Sequence, residues 1–181
     1  MLINERIFSA PPKDYSGRLE SEKKTFEVLE QLHIPYERLE HEPAETIAAC
    51  EEIDRILQIH MCKNLFLCNR QKTEFYLLLM PGEKPFRTKD LSSQIQRARL
   101  SFADESFMLD FLNIRPGSVS VMGLMNDTEK RVKLLIDSDL MKEEYIGCHP
   151  CVNTGSLKIR MRDILEVFLP FVGHTYQTVV L

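Results

Sequence analysis

The chain has 181 residues, of which 44% are hydrophobic and 28% charged, and its formal net charge at pH 7 is −4. This length and composition predict one globular domain whose core needs neither disulfides nor a structural metal. They exclude collagen-like and disordered classes, and the acidic balance argues against a protein that coats nucleic acid through bulk charge. Contact with only the end of a nucleic acid stays open.

The first half of the chain alternates helical and extended patterns. Residues 1–17 hold two prolines and a glycine, which predicts an irregular N-terminal leader. Apolar residues at three- and four-residue spacing predict an amphipathic helix from Leu19 to Leu32. Thr46 is a candidate N-cap for a second helix. The apolar runs Lys63–Cys68 and Phe75–Met80, separated by a polar turn, predict a β-hairpin.

The second half repeats this mixture. Helices are predicted over Leu91–Ile95, Glu105–Leu112 and Met161–Phe168. Extended segments are predicted over Ser118–Val121, Val132–Ile136, Gly155–Ile159 and Gln177–Leu181. Short strands and helices without a strict βα alternation predict an α/β (mixed α+β) single domain around one sheet.

The cellular location follows from targeting signals and cysteine usage. The first 21 residues interrupt their apolar positions with charges, so they lack the continuous apolar core of a signal peptide. The longest apolar stretch, Phe75–Met80, is far shorter than the roughly 20 residues needed to cross a bilayer. We therefore expect a cytoplasmic protein with no membrane partner, in which the five cysteines are reduced.

A C-x-x-C motif spans Cys148 to Cys151 and allows two chemical interpretations. Such thiol pairs serve redox chemistry, but a thioredoxin-like motif opens a helix, whereas this one leads into a poor helix start. With His60 and Cys62 the same thiols could bind zinc, although the His60–Cys62 spacing does not match a zinc knuckle. Small buried thiols remain the more common alternative.

Two other patterns each allow a functional and an ordinary interpretation. Lys63 opens an apolar run, so its ammonium group either reaches solvent or faces a cleft. Gly117 permits positive φ and a close backbone approach, so its loop is either a plain turn or a site that presents amides to a ligand. The chain has no Ser-His-Asp order, P-loop or G-x-G-x-x-G motif, and we expect no cofactor and no metal.

Four segments together resemble the YbaK/ProX family, the prolyl-tRNA editing domain-like aminoacyl-tRNA deacylases. They are, in chain order, Glu40–Thr46, Lys63–Leu67, Pro116–Leu124 and Gly147–Thr154. The resemblance extends over about residues 20–175, so residues 18–181 are predicted to form one editing domain. It implies a curved mixed β-sheet flanked by helices.

The resemblance also implies a function. Members of this family are freestanding relatives of the editing domain of bacterial prolyl-tRNA synthetases and hydrolyse mischarged aminoacyl-tRNA. The ProX branch, which acts on Ala-tRNA(Pro), fits best. The chain is therefore expected to be a trans-editing hydrolase whose partner is the aminoacylated acceptor end of tRNA, and prolyl-tRNA synthetase is a second candidate partner.

The family motifs assign roles to particular positions. The resemblance implies that Lys63 is the catalytic residue. It implies substrate-binding roles for Asn64, Gly117, Ser118, His149, Pro150 and Asn153. The glycine loop of the family usually ends in proline, whereas this chain has Val121. Valine restores an N–H and loosens φ, so the preferred aminoacyl group stays open.

Three alternatives remain from the sequence. The first is a deacylase for another small amino acid, such as Cys-tRNA(Pro). The second is an inactive tRNA-binding relative, against which the presence of Lys63 argues. The third is a thiol oxidoreductase that uses Cys148 and Cys151. Candidate basic contacts with tRNA are Arg87, Lys89, Arg97, Arg99, Lys130, Arg131 and Lys133.

Overall fold

The computed structural model describes residues 3–44 and 47–181, and its strands form two sheets. The first sheet is antiparallel throughout. Its strands are β1 (Ile3–Phe8), β2 (Tyr36–His41), β7 (Tyr145–Cys148) and β8 (Gly155–Arg160), in the order β1-β2-β8-β7.

The second sheet is mixed, with five strands in the order β5-β3-β4-β6-β9. They are β3 (Cys62–Cys68), β4 (Phe75–Pro81), β5 (Ser101–Phe102), β6 (Val132–Asp137) and β9 (Tyr176–Val179). The β3–β4 hairpin is antiparallel, as predicted, whereas β4, β6 and β9 run parallel. The mixed α/β prediction is therefore confirmed, with two sheets in place of one.

Helices flank the sheets on both faces. The longer ones are α1 (Glu20–Gln31), α2 (Ile47–Leu57) and α3 (Thr88–Gln94). Two helical segments contain π-helical turns: Glu105–Phe107 continues into Met108–Leu112, and Met161–Asp163 continues through Ile164–Phe168 to Leu169–Val172. Short 3-10 helices span Val121–Met125 and Leu140–Lys142.

One face of both sheets packs into a shared main core. Because strand side chains alternate between faces, the same strands supply a second, outer face. The main core contains, among others, Phe26 of α1, Phe66 of β3, Cys148 of β7 and Phe168 of the C-terminal helical segment. On the outer face α2 covers the first sheet through Ile53 and Leu57, and α3 covers the second sheet through Leu91.

The two sheets meet where Met61, just before β3, forms a parallel bridge with Gly147 of β7. A Cβ atom on Gly147 would lie 2.5 Å from Ile59 Cδ1 and 2.5 Å from Met61 Sδ, so glycine permits the close approach. Beyond this bridge β3 continues into the second sheet, whereas β7 ends at Cys148. The two strands therefore part immediately after the contact that joins the sheets.

The prediction of an irregular leader over residues 1–17 is wrong for Ile3–Phe8, which forms β1 against β2. As an edge strand β1 is largely exposed on both faces, so it lacks the alternating apolar pattern that marks a strand in a sequence. Arg38 anchors the segment, since its Nε donates to the Ala10 carbonyl at 2.6 Å and its guanidinium lies 4.3 Å from the Phe8 ring centroid.

One predicted strand is absent from the described structure, and one predicted helix cap lies outside the described residues. The strand over Ser118–Val121 is wrong, because this segment is irregular and then enters the 3-10 helix at Val121. The β-branched residues Val119 and Val121 favoured a strand in the sequence. In the structure Ser120 instead caps the 3-10 helix, because its Oγ accepts a hydrogen bond from the Met122 N–H. The predicted cap Thr46 lies outside the described residues.

Gly82 is expected to be required for the turn that follows β4. A Cβ atom there would lie 2.4 Å from the backbone oxygen of Met61, and backbone cannot rotate away as a flexible side chain can. We expect Gly82→Ala to lower the free energy of unfolding by about 1–3 kcal/mol in urea denaturation. Ser93→Ala, at an exposed position of α3, is the control and should change it by less than about 0.5 kcal/mol. Equal stability of the two variants would contradict the close packing.

Candidate active site

The site residues gather where the two sheets part. Lys63 and His149 each lie two residues beyond the bridge between Met61 and Gly147. Met61 lies on the outer face, whereas Cys62 and Cys148 lie in the main core, so the alternation of side chains directs Lys63 and His149 toward the outer face. This is the boundary between the areas that α2 and α3 cover. We call the region around Lys63 and His149, where β3 and β7 diverge, the boundary site.

Lys63 carries a positive charge that no neighbouring carboxylate neutralises. Its Nζ donates to the Lys84 carbonyl oxygen at 2.8 Å. Within residues 3–44 and 47–181, no carboxylate oxygen lies within 4.0 Å of this ammonium. Lys84, in contrast, pairs with Asp137 at 3.0 Å and with Asp139 at 2.6 Å. Lys63 is thus a partly buried cation that remains available to an anionic or carbonyl ligand.

Asn64 lies on the opposite face of β3 from Lys63. Its Nδ2 donates to the Cys62 carbonyl at 3.1 Å and to Cys62 Sγ at 3.3 Å. Its Oδ1 is buried and has no hydrogen-bond partner among the described residues. The structure therefore does not bring the Asn64 amide to the Lys63 ammonium, although the two residues are adjacent in sequence.

The glycine loop begins with a tight turn over residues 115–118. The Ser118 N–H donates to the Arg115 carbonyl at 3.1 Å, and Gly117 has a φ of +81° after Pro116. Proline followed by glycine with positive φ is the pattern of a type II turn. The turn therefore uses the Ser118 N–H, and the substrate-binding role of Ser118 stays a prediction. The Gly117 N–H has no acceptor in the described part of the chain.

The glycine turn abuts the loop that follows β7. A Cβ atom on Gly117 would lie 3.6 Å from the Asn153 Nδ2. Ser120 joins the same two loops, since its Oγ donates to the His149 carbonyl at 2.6 Å and accepts from the Met122 N–H. This role of Ser120 was not predicted, although a serine directly before a short buried run is a helix N-cap signal.

The loop between β7 and β8 folds back on itself around His149. The ring Nδ1 lies 2.8 Å from the Gly155 carbonyl oxygen, and Pro150 packs against Gly155. Cys151 adopts a left-handed conformation with a φ of +62°. Burial and the neighbouring His41 lower the pKa of His149 below its ordinary value of 6.5, and the Gly155 carbonyl opposes this effect.

His41 supports this loop and received no role in the sequence analysis. Its backbone N–H donates to the Thr154 carbonyl at 3.0 Å, and its Nε2 lies 2.9 Å from Ser156 Oγ. Its ring centroid lies 6.5 Å from that of His149. Burial lowers the pKa of His41. The signal was its place in the segment Glu40–Thr46, which the family resemblance included.

The cysteines of the C-x-x-C motif lie in the main core. Cys151 Sγ accepts from Thr25 Oγ1 at 3.5 Å. Cys62, the further thiol of the zinc alternative, is also buried there, and its Sγ donates to the Gly147 carbonyl at 3.0 Å. Burial raises the pKa of Cys62 to about 11, that of Cys151 to about 12 and that of Cys148 well above its ordinary value. Redox and zinc chemistry both use thiolates, so these thiols suit neither alternative. No group of three metal-binding side chains occurs among the described residues.

Carboxylates neutralise much of the predicted basic surface. The ion pairs are Arg87–Asp90, Arg97–Glu74, Lys133–Glu74 and Arg131–Glu129. Arg115, at the start of the glycine turn, is exposed and has no ion pair within the residues that the structure describes. No sequence motif indicated a role for this arginine.

The chain matches a family model and curated relatives. The model described as "Aminoacyl-tRNA editing domain" matches residues 41–167. The prolyl-tRNA editing protein ProX of Acetoanaerobium sticklandii is 30% identical over 83% of this chain and 92% of its own length. The prolyl-tRNA synthetase associated domain-containing protein 1 of Danio rerio is 30% identical over 84% of this chain and 83% of its own length.

A solved structure shares the fold. It is described as a candidate trans-editing enzyme for prolyl tRNA synthetase, and it covers 90% of this chain and 96% of its own with a TM-score of 0.67 at 14% identity. No helix in the described residues is both long and apolar enough to cross a membrane. The predicted family and fold are confirmed, as is the prediction of an aminoacyl-tRNA deacylase. The chain belongs to the aminoacyl-tRNA editing domain family.

Proposed function

We propose that the protein is a trans-editing deacylase that hydrolyses Ala-tRNA(Pro) at the ester on the terminal adenosine. The observation that carries this proposal is the unneutralised ammonium of Lys63, which shares the outer face with His149 in a chain of the editing family. The partners are the aminoacylated acceptor end and prolyl-tRNA synthetase, and the protein acts in the cytoplasm. The name of the Acetoanaerobium relative supports the prolyl-tRNA assignment.

The reaction requires little more than positioning and charge stabilisation. An aminoacyl ester is activated, so its hydrolysis needs an oriented water and a binding site for the negative charge that develops on the carbonyl oxygen. The free N–H of Gly117 is the proposed donor to this oxygen. The Lys63 ammonium binds the ester or the terminal phosphate, and Arg115 adds positive charge at the rim of the site.

The remaining predicted residues shape the site in this proposal. Asn64 lies on the opposite face of β3, where its buried Oδ1 has no partner within the described residues, and its substrate-binding role stays a prediction. His149, Pro150 and Asn153 belong to one loop beside the glycine turn, and they bind the terminal adenosine or line the acyl pocket. Ser118 preserves the turn that presents Gly117.

Selectivity would follow from the size of the acyl pocket. A small pocket admits alanine and excludes proline, the cognate residue, by steric clash. Attraction alone cannot reject the smaller side chain, because one methylene changes binding by only about 1–3 kcal/mol. A synthetase site built for proline therefore admits alanine, and a separate editing site removes it.

Loss of the Lys63 charge should abolish most of the activity. We expect Lys63→Ala and Lys63→Met to slow release of alanine from Ala-tRNA(Pro) by about 100- to 1,000-fold, because one charge-stabilising group is lost. The measurement is single-turnover deacylation with radiolabelled alanine, with circular dichroism to check folding. Lys23→Ala removes an equal charge from α1, where Lys23 faces Glu27, and should leave the rate unchanged. Full activity of Lys63→Met would contradict the role of the charge.

A substrate panel tests the acyl preference. Purified protein should deacylate Ala-tRNA(Pro) fastest and leave Pro-tRNA(Pro) intact, because the small pocket excludes the proline ring. Ser-tRNA(Pro) and Cys-tRNA(Pro) complete the panel. A higher rate on Cys-tRNA(Pro) would favour the cysteinyl alternative. Binding of all four aminoacyl-tRNAs without hydrolysis would show that the protein is an inactive tRNA-binding relative of the deacylases.

Replacement of Val121 by proline should leave the protein intact. Val121 is the first residue of its 3-10 helix, where no intrahelical acceptor exists for the N–H, and Ser120 is extended with φ −150° and ψ 149°. We expect Val121→Pro to change the free energy of unfolding by less than about 1 kcal/mol. The order of substrates should also stay the same, since the Val121 side chain packs in the main core.

Met122→Pro is the matched control for this substitution. The Met122 N–H donates to Ser120 Oγ at 3.2 Å, so proline one residue later removes a bond that the cap requires. Urea denaturation should show a loss of at least about 1 kcal/mol for Met122→Pro. A larger loss for Val121→Pro than for Met122→Pro would contradict the assigned helix start.

A further inference from the structure

His149 has one ring nitrogen engaged and one free. Its Nδ1 lies 2.8 Å from the Gly155 carbonyl oxygen, and a carbonyl can only accept a hydrogen bond. In the neutral ring Nδ1 therefore carries the hydrogen and Nε2 carries the lone pair. Nε2 has no hydrogen-bond partner among the described residues. The loop thus holds the imidazole in the tautomer that can accept a proton at its free nitrogen.

His41 fixes the two residues that flank Gly155. Its backbone N–H binds the Thr154 carbonyl at 3.0 Å, and its Nε2 lies 2.9 Å from Ser156 Oγ. Its Nδ1 lies 2.8 Å from the Glu42 carbonyl, so Nδ1 carries the hydrogen and Nε2 accepts from the serine hydroxyl. His41 therefore holds the carbonyl that orients His149 from both sides.

We propose that His149 is the general base of the hydrolysis and that His41 is the positioning residue that keeps its Nε2 lone pair directed at the attacking water. This inference rests on the proposed function, because it assumes an aminoacyl ester in the boundary site. It assigns a proton acceptor to the proposed hydrolysis.

The proton transfers balance over one turnover. The water oxygen forms a bond to the ester carbonyl carbon while one water proton passes to His149 Nε2. The tetrahedral intermediate then collapses, and the bond between the carbonyl carbon and the ribose oxygen breaks. The proton on Nε2 passes to that ribose oxygen, which returns His149 to the neutral form. The free amino acid leaves with its carboxyl group, which loses its proton to solvent.

The charges around His149 favour the neutral base. The titratable neighbour of the His149 ring is His41 on β2, with the two ring centroids 6.5 Å apart. On its own loop Cys148 and Cys151 are buried in the main core. Burial and His41 lower the pKa of His149, so the ring accepts a proton from water at neutral pH. The rate should therefore fall as the pH falls through this lowered pKa.

The test is the pH dependence of single-turnover deacylation of the substrate that the wild-type protein hydrolyses fastest. We expect an acidic limb in the wild-type profile, a loss of about 100-fold or more in His149→Gln, and no such limb in that variant. A substrate whose terminal adenosine lacks the 2′-hydroxyl should still be hydrolysed. A His149→Gln rate equal to wild type, together with loss of the 2′-deoxy reaction, would overturn the proposal in favour of a substrate hydroxyl.

The role of His41 has its own readouts. His41→Gln should lower the rate constant more than it changes KM, and it should move the acidic limb toward the ordinary histidine value of 6.5. His174→Gln is the control: His174 is also buried, but it lies 3.5 Å from Asp127 on another part of the chain, and its removal should leave the profile unchanged. Equal profiles in the two variants would overturn the positioning role.

A spectroscopic measurement is independent of activity. Nitrogen-15 NMR of the imidazoles should show His149 neutral at pH 7 with its hydrogen on Nδ1, and a mixture of tautomers in His41→Gln. A protonated His149, or one with its hydrogen on Nε2, would overturn the proposal. Absence of deacylation by the wild-type protein would refute the proposed function as well, whereas retained activity in His149→Gln would refute only this inference.

Discussion

Met61 and Gly147 pair across the boundary between the two sheets, and the site depends on the close approach of these two backbones. The approach requires glycine, because any Cβ atom at Gly147 would meet Ile59 and Met61. The two strands, β3 and β7, pair at this point and then diverge. Lys63 and His149 lie just beyond it on the outer face, and no single helix covers both of them. The contact therefore sets where Lys63 and His149 lie, between the areas that α2 and α3 cover.

The electrostatics of the boundary site explain how an acidic protein can act on a nucleic acid. The net charge of −4 opposes binding along the tRNA backbone, and ion pairs neutralise much of the basic surface. At the boundary site, in contrast, no carboxylate neutralises the positive charge of Lys63 within the described residues. Asp137 and Asp139 pair with Lys84, whereas Lys63 contacts only the neutral carbonyl of that residue. A local positive charge beside a backbone donor suits the end of a tRNA better than its length.

Local patterns predicted the elements, but not the way in which the elements meet. The β3–β4 hairpin and α1 were predictable because their apolar spacing reflects burial on one side. The exposed edge strand β1 and the short strand β7 lack that spacing and were missed. Family motifs indicated Lys63 and His149, whereas the hydrogen bonds by which His41 and Ser120 hold the loop after β7 join residues far apart in the sequence. The turn bond of Ser118, in contrast, agrees with the Pro116-Gly117 pair, which is the residue pattern of a type II turn.

The central claim is that an aminoacylated adenosine binds where the sheets part. The most direct test is an NMR titration of the protein with 3′-deoxy-3′-alanylamido-adenosine, whose amide bond resists the hydrolysis that removes the ester. The account predicts backbone amide shift changes at Lys63, Gly117 and His149. Changes confined to the groove lined by Ser9 and Tyr36, on the other side of the first sheet, would contradict it.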